Sequence, residues 1–545
     1  MRNRSHCGRK AVIRLAMTAI VLSLMTVLPS YACTEVYVGP EVSADGTVII
    51  ARSNDWQQIM ATRLCVTARV EHAPGRTMPV NDAGDVRADI PETTFHYTST
   101  PWMTNSTDRM NIERDAAVCA NEYGVSMTMS VTAFSNDRAL AADPLLTDGL
   151  TEDTADDLVI CQSRTAREAV DILLGLVDTY GSNGVNIATI ADQKEAWYIE
   201  IYTGHQYAAV KLPPDKVAAF GNEFCMEYLS AFEESVTSKD LLTLPEEKGF
   251  AKYGENGELN LYETYSGDEM REEYSHMRTW IGHQLLAPSV YGDYDKPEFY
   301  PLLFDPDRKV SLSDVFSIMR NRFEGTPYSP DETGRIDMRV IGTDTALSVH
   351  VLQIYPDLPA KMSVITWESL APAVYGVFVP LSNLCTEVSE PYGADQPDSA
   401  GQSFDTAHYA WYALKCLNTI GILEPKVYGE PVADYWKQAE EGMMSAVPAV
   451  LKTIAGLLET DPEYAASGMT NYCNYLQQNA FADAQSMLNT DLWFLNFNSN
   501  TLKLARNPET NELTGEERVL PPVPITLSPK AYYTVFSMAD GADGP

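Results

Sequence analysis

The sequence predicts an α+β protein, and three observations carry that prediction. Alternating, β-branched stretches bounded by Gly, Asn, Asp and Pro recur from residue 33 to about 380. Helical periodicity falls there in separate blocks, near 153–180 and 274–286. From about Thr406 the pattern turns to long runs rich in Ala, Leu, Met and Gln. Strands and helices in blocks, followed by a helical C-terminal part, define the class.

The first 32 residues read as an export signal. Arg2, Arg4, Arg9, Lys10 and Arg14 make a basic start, and Leu15 to Leu28 is an apolar run of 14 residues, too short for a membrane span. Pro29 breaks it, and Ser30-Tyr31-Ala32 puts small residues where signal peptidase, the implied maturation partner, would cut before Cys33. No later stretch reads as apolar enough to span, so a secreted or periplasmic protein is expected.

Cys33 to Val38, the turn Ser43-Ala44-Asp45-Gly46 and Thr47 to Ala51 read as a hairpin. Residues 65–70 are a further strand, and so is Val125 to Val131, after the turn Asn121-Glu122-Tyr123-Gly124. Residues 153–180 are expected as helix, with a capping box at Thr165-Ala166-Arg167-Glu168 and Gly181 as the stop. Strands follow around 185–190, 196–202 and 206–211, then a helix at 274–286 and strands at 347–355, 362–367 and 374–379. Helices are expected over 406–419, 433–458 and 462–489.

The formal net charge is −36, and residues 1–32 hold five positive and no negative charges, so the remainder carries −41. That excludes a nucleic-acid partner, which needs a basic footprint. It suits a small cationic or zwitterionic substrate. Eight cysteines lie beyond residue 32, widely scattered and without a CxxC pair, which fits neither a disulfide scaffold nor a zinc ribbon. No HExxH, GxSxG, P-loop or GxGxxG occurs. His276 and His283 could share a helix face as a metal pair, but packed or solvated histidines fit better, and neither metal nor cofactor is expected.

Cys33 stands out by position. As a first residue it would carry a thiol and an α-amine together. The amine, with an ordinary pKa of about 8, can take the thiol proton and later give it to a leaving amine. Such a site also needs a cation by the thiol, a carboxylate by the amine and donors for the oxyanion. Arg52-Ser53-Asn54-Asp55 ends the second hairpin strand. Residues three apart on a strand point to opposite faces, so Arg52 and Asp55 are expected to converge on Cys33 only through a strand end or bulge at Ser53-Asn54.

The stretch "CTEVYVGPEVSADGTVIIARSNDW" resembles the start of peptidase family C69, the dipeptidase A-like members of the N-terminal nucleophile (Ntn) hydrolases. "ANEYGVSMTMS", "EAWYIEI", "AAVKLPPDKVAAFGNEF", "YSHMRTW" and "ITWESLAPAVYGVFVPL" resemble later family blocks, so the likeness covers nearly the whole chain after Cys33. It implies a four-layer αββα sandwich over 33–400, followed by a C-terminal helical region at 401–507 and a polar, Pro-rich tail at 508–545. It implies Cys33 as nucleophile, Arg52 by the thiol, Asp55 by the amine, Asn222 as an oxyanion donor and Arg278 as a second organising arginine. Acylase relatives, such as penicillin V acylase and conjugated bile acid hydrolases, have a further asparagine where this chain reads Met127-Thr128-Met129-Ser130-Val131-Thr132; Thr128, Ser130, Thr132 or a backbone N–H would have to replace it. Trp197 and Glu200 read as strand packing and a structural ion pair, and Asn121 and Gly124 as turn residues.

The implied activity is that of a secreted cysteine dipeptidase. The alternatives are an Ntn amidohydrolase on another amide, a lipoprotein anchored at Cys33, or a binding protein with Cys33 in a disulfide. Tyr31 fits a lipobox poorly. A homo-oligomer is compatible with the sequence.

Overall fold

Two antiparallel sheets lie face to face, each covered by helices on its outer side. The computed structural model describes residues 33–56, 60–103, 116–131, 133–268, 273–297, 299–335, 337–394, 404–498, 504–507, 509–517 and 519–534. The expected signal segment 1–32 and Thr132 lie outside the described residues.

The hairpin forms as expected: β1 (Glu35–Val38) and β2 (Val48–Asp55). Next come β3 (Cys65–Thr67), β4 (Tyr97–Pro101), β5 (Ala116–Asn121) and β6 (Ser126–Val131). The helical stretch near 153–180 is two helices, α1 (Glu152–Ile160) and α2 (Ala166–Tyr180). The break falls where Thr165 turns extended and caps α2, its side chain accepting from Glu168 N at 3.1 Å. Glu168 reaches back to Arg164 N at 2.7 Å, one residue earlier than a regular capping box. Gly181 stops the helix at φ 71°, a conformation that favours glycine.

The chain continues through β7 (Asn186–Ala191), β8 (Ala196–Ile201), β9 (Tyr207–Leu212), β10 (Val217–Phe220) and β11 (Ser235–Thr237). Helices α3 (Glu273–Leu286) and α4 (Leu312–Arg320) precede β12 (Ala346–Ile354), β13 (Val364–Leu370) and β14 (Val379–Ser382). The strand expected at 374–379 begins only at Val379, because residues 373–376 form a turn in which Gly376 N donates to Ala373 O at 3.1 Å. Helices α5 (Ala410–Leu423), α6 (Glu430–Leu458) and α7 (Pro462–Asn498) follow.

The first sheet has the order β10-β1-β2-β12-β13-β14, and the second β11-β9-β8-β7-β6-β5-β4-β3. Strand alternation assigns the layers. Tyr37, Val48, Ile50 and Leu352 meet Val118, Ile187, Tyr198 and Val210 between the sheets. Met127, Ile190, Trp197 and Ile199 pack outward against Leu158, Leu173 and Val177 of α1 and α2. Val36, Ile49, Val349 and Val351 pack outward against Trp280, Val315, Leu414 and Leu476, so α3, α4 and the C-terminal helices share one core with the first sheet. The expected α+β, four-layer αββα arrangement with C-terminal helices is the one observed.

Residues 425–458 are, by length and composition, apolar enough to cross a membrane, contrary to the expectation of no such stretch after the signal. Val432, Trp436, Met443 and Val450 of that helix are buried in the shared core. Beyond Asn507 the chain still packs: Tyr532 is fully buried and donates to Asp483 at 2.7 Å.

Candidate active site

The opening strands bring the expected residues to one place. Glu35 pairs with Arg52, and the ladder runs on as Thr34 N donates to Ser53 Oγ (3.1 Å) and Ser53 N to Thr34 O (3.0 Å). The same register sets Cys33 opposite Asn54. Alternation puts Cys33, Glu35 and Tyr37 on the inner face with Val48, Ile50 and Arg52, and Thr34, Ser53 and Asp55 on the outer one. Neither a strand end nor a bulge at Ser53-Asn54 was needed. β2 runs to Asp55, and the irregularity lies in the neighbouring strand between Ala346 and Ser348. Arg52 and Asp55 do face opposite ways: Arg52 contacts the Cys33 sulfur, and Asp55 acts on it through its charge.

On the inner side Ser130 Oγ donates to Cys33 Sγ at 2.9 Å and Arg52 Nη1 lies 3.9 Å from the same sulfur. Arg52 also donates to the carbonyls of Met129 and Ala117, the latter at 3.0 Å, which clamps the first sheet to the second. Burial pushes the Cys33 thiol above its ordinary value; Arg52 and the Ser130 hydrogen bond oppose this, while Asp55 and Glu152 add to it. A neighbouring cation alone therefore does not make this sulfur a thiolate at neutral pH. Glu35, the next inner residue, is pushed up to about 7 by burial, against the Thr189 hydroxyl and Arg52.

On the outer side Arg278 of α3 gathers the backbone. Its Nη1 donates to Cys33 O (2.6 Å) and Thr34 Oγ1 (3.1 Å), its Nη2 to Asn222 Oδ1 (2.5 Å) and its Nε to Tyr274 O (3.1 Å). A guanidinium only donates, so it fixes the Asn222 amide with oxygen toward Arg278. The buried Nδ2 then has no acceptor among the described residues. Asp55 is buried, with Arg339 Nη2 3.4 Å from its Oδ2. Burial pushes the Asp55 carboxyl up to about 6, against Arg339, Arg278 and the Ser53 hydroxyl.

The loop after β10 is held from two sides. Glu200 is in no ion pair among the described residues; it accepts from Tyr198 (2.7 Å), Tyr202 (2.8 Å), Cys225 N (2.6 Å) and Met226 N (3.2 Å). Glu223 takes His276 Nδ1 at 2.5 Å and the Thr279 hydroxyl, and Ser275 Oγ donates to Asn222 O at 3.1 Å. Gly221 permits this approach, because a Cβ there would stand 2.8 Å from Ser275 O. His276 is thus a hydrogen-bonding residue, its Nε2 facing Pro297 O at 2.8 Å. His283 is packed on Phe304 with ring centroids 4.0 Å apart.

Of the five expected site residues, Arg52 and Arg278 touch Cys33, Asn222 joins it through Arg278, and Asp55 acts on Cys33 and feels Arg278 through charge alone. Of the hydroxyls weighed as replacements for the missing asparagine, Ser130 reaches the sulfur. Thr128 is engaged with Ala117 O (3.2 Å) and His350 Nε2 (3.0 Å). Arg339, Glu223 and the role of Glu200 escaped the sequence reading. Strand parity could have placed Glu200 on the inner face, whereas no sequence pattern marks a loop arginine such as Arg339.

A cysteine at the head of a buried strand, flanked by two arginines, a carboxylate and an oriented amide, belongs to nucleophilic hydrolases. The chain belongs to peptidase family C69, whose model matches residues 32–429. It is a hydrolase, a cysteine-type peptidase of that family. It is 28% identical over 467 residues to a probable dipeptidase B from Streptococcus pyogenes serotype M1, covering 82% of this chain and 90% of that protein. It is 28% identical over 397 residues to a probable dipeptidase B from Lactococcus lactis subsp. lactis, covering 70% and 79%. A conjugated bile acid hydrolase structure from Clostridium perfringens aligns with a TM-score of 0.31 at 11% identity, covering 62% of this chain and 89% of that one.

Proposed function

We propose that this protein is an exported cysteine dipeptidase that becomes active when removal of residues 1–32 makes Cys33 the first residue. The observation that carries the reading is Cys33 itself. Its sulfur meets Ser130 and Arg52 on one side, and its carbonyl shares the Arg278 guanidinium with Asn222 on the other. The start of the family match at residue 32 supports it.

Because burial keeps the thiol protonated, the reaction needs a base, and the new α-amine supplies it. The amine takes the thiol proton, and the sulfur attacks the carbonyl carbon of the peptide bond. The oxyanion is met by Asn222 Nδ2. Collapse breaks the C–N bond, the ammonium returns the proton to the departing amino acid, and a thioester remains. Water, deprotonated by the same amine, hydrolyses it and regenerates thiol and amine. Asp55, whose charge acts on Cys33, takes the role of holding the ammonium.

The test is N-terminal sequencing and intact mass of the exported protein, followed by release of amino acids from a pool of dipeptides. Wild type, Cys33→Ser and a variant with one extra residue before Cys33 are compared. Hydrolysis by the wild type and at least a 10³-fold loss in both variants are expected, on the order of what loss of a nucleophile costs. Undiminished turnover by the extended variant would remove the amine from the mechanism, and a diacylglyceryl mass on Cys33 would show an anchor instead.

A further inference from the structure

Asp55 has a partner outside the hairpin that the sequence never suggested. Arg339 lies in the loop before β12, whose next residues, Val340 and Ile341, are buried in the core behind α3 and so fix its place. Its Nη2 is 3.4 Å from Asp55 Oδ2. Its guanidinium also lies 5.8 Å from the Tyr274 ring, while that of Arg278 lies 5.3 Å from the same ring. Tyr274 thus spaces two arginines that both act on Asp55. Tyr274 and Arg339 line a cleft of about 550 Å³ with Tyr294, Lys296 and Asp337. This is a size suited to a small substrate. Arg339, which hydrogen-bonds Asp55, is therefore part of the cleft wall.

Resting on the reading of Cys33 as an N-terminal nucleophile, we propose that Arg339 is a positioning residue: it holds the Asp55 carboxylate in its charged form and in place for the α-amine of Cys33. The groups that face Asp55 make this arrangement necessary. Its own strand offers Ser53, α3 offers Arg278, and β12 pairs Ala346 with it, while Asp55 in turn acts through its charge on the Cys33 thiol. Arg278 is already committed to Cys33 O, Thr34, Asn222 and Tyr274 O, so its position is set by other acceptors. Arg339 is the cation that hydrogen-bonds the carboxylate itself. Of the groups that oppose the effect of burial on Asp55, it is the strongest. Without it the buried carboxyl is expected to hold its proton and lose its grip on the ammonium.

A double-mutant cycle tests this, using the processed protein. Arg339→Met and Arg339→Lys are made in the wild type and in Asp55→Asn, and thermal unfolding confirms that each variant folds. Two readouts are taken: kcat and KM on the best dipeptide of the pool, and the rate constant for Cys33 alkylation by iodoacetamide, mapped by peptide mass. Arg339→Met is expected to lower kcat about tenfold or more, and Arg339→Lys to return it to within about threefold. In the Asp55→Asn background Arg339→Met is expected to change either readout by less than about twofold. Equal losses in both backgrounds, or a rise in KM at unchanged kcat, would overturn the proposal by making Arg339 a structural or substrate-contact residue. If the wild type hydrolyses no dipeptide, the dipeptidase reading falls, and the alkylation cycle still decides for or against Arg339.

Discussion

Replacing Asn222 by Asp separates the structural from the chemical use of one side chain. Asn222 Oδ1 accepts from Arg278 at 2.5 Å, and Nδ2 is buried with no acceptor among the described residues. The Asp variant keeps the volume and the bond to Arg278, which becomes an ion pair. It turns the donor at Nδ2 into an acceptor that repels an oxyanion. Loss of one oxyanion donor costs about 10² to 10³ in kcat, roughly 2.7 to 4 kcal/mol of transition-state stabilisation. Asn222→Ala should lose the same factor and about 1–3 kcal/mol of stability, because it also strips Arg278 of an acceptor. Asn222→Asp should therefore match the Ala variant in lost kcat while unfolding in urea close to the wild type. The assay is initial rate at saturating dipeptide, paired with urea unfolding. An Asp variant within tenfold of wild-type kcat would refute the assignment of Nδ2 to the oxyanion.

Arg278→Met leaves the buried carbonyls of Cys33 and Tyr274, the Thr34 hydroxyl and the Asn222 amide without their shared donor. A loss of about 1–3 kcal/mol for each acceptor left unsatisfied is expected in urea unfolding. Glu35→Gln addresses pH. The folded protein holds a proton on Glu35 up to about 7, whereas the unfolded chain releases it near the ordinary value of 4.5. Stability from this group is therefore full below 4.5 and falls as pH rises toward 7. The drop is on the order of 3 kcal/mol. Unfolding at the two ends of that window should show Glu35→Gln losing less than the wild type, and an unchanged difference would exclude Glu35 as the source.

Local chemistry was legible in the sequence where one short segment decides it. The hairpin around Ser43–Gly46 and the stop at Gly181 rest on neighbours in the chain, and both formed. The capping pair at Thr165 and Glu168 marks a helix start, yet the apolar spacing of α1 and α2 reads through the break at Cys161–Thr165 as one helix. The capping pair was visible, yet its acid reaches Arg164 N instead of Thr165 N. Convergence on Cys33 was partly legible. Parity correctly set Arg52 and Asp55 on opposite faces, but a strand in isolation does not tell that both faces are used. The contacts of Arg52 with the second sheet, and of Asp55 with Arg339, join residues 77 and 284 positions apart. No local pattern carries such pairings.

The identity of the base can be argued from what surrounds the sulfur. Among the described residues, three buried groups on the inner face of the first sheet compete with the α-amine for the thiol proton: His350, Glu368 and Glu35. His350 is engaged with Thr128 Oγ1 at 3.0 Å, and burial, with Arg52 beside it, holds its ring neutral far below its ordinary value. A ring that resists a proton this strongly cannot take one from a thiol that burial has raised. Burial keeps Glu368 protonated, and its Oε2 is already taken by Thr100 at 3.0 Å. Glu35 is the serious rival, since its carboxyl, pushed up to about 7, is charged for part of the time at neutral pH. It lies two residues along the strand, roughly 6.6 Å away at the ordinary rise, so a proton reaches it only through an intermediary. If the amine is the base, Glu35→Gln keeps kcat within about threefold of wild type, while acetylation or extension of the N-terminus abolishes it. If Glu35 is the base, the pattern inverts: the Gln variant fails and the extended protein turns over. Measuring both on one dipeptide decides between a site that export completes and one already complete in the precursor.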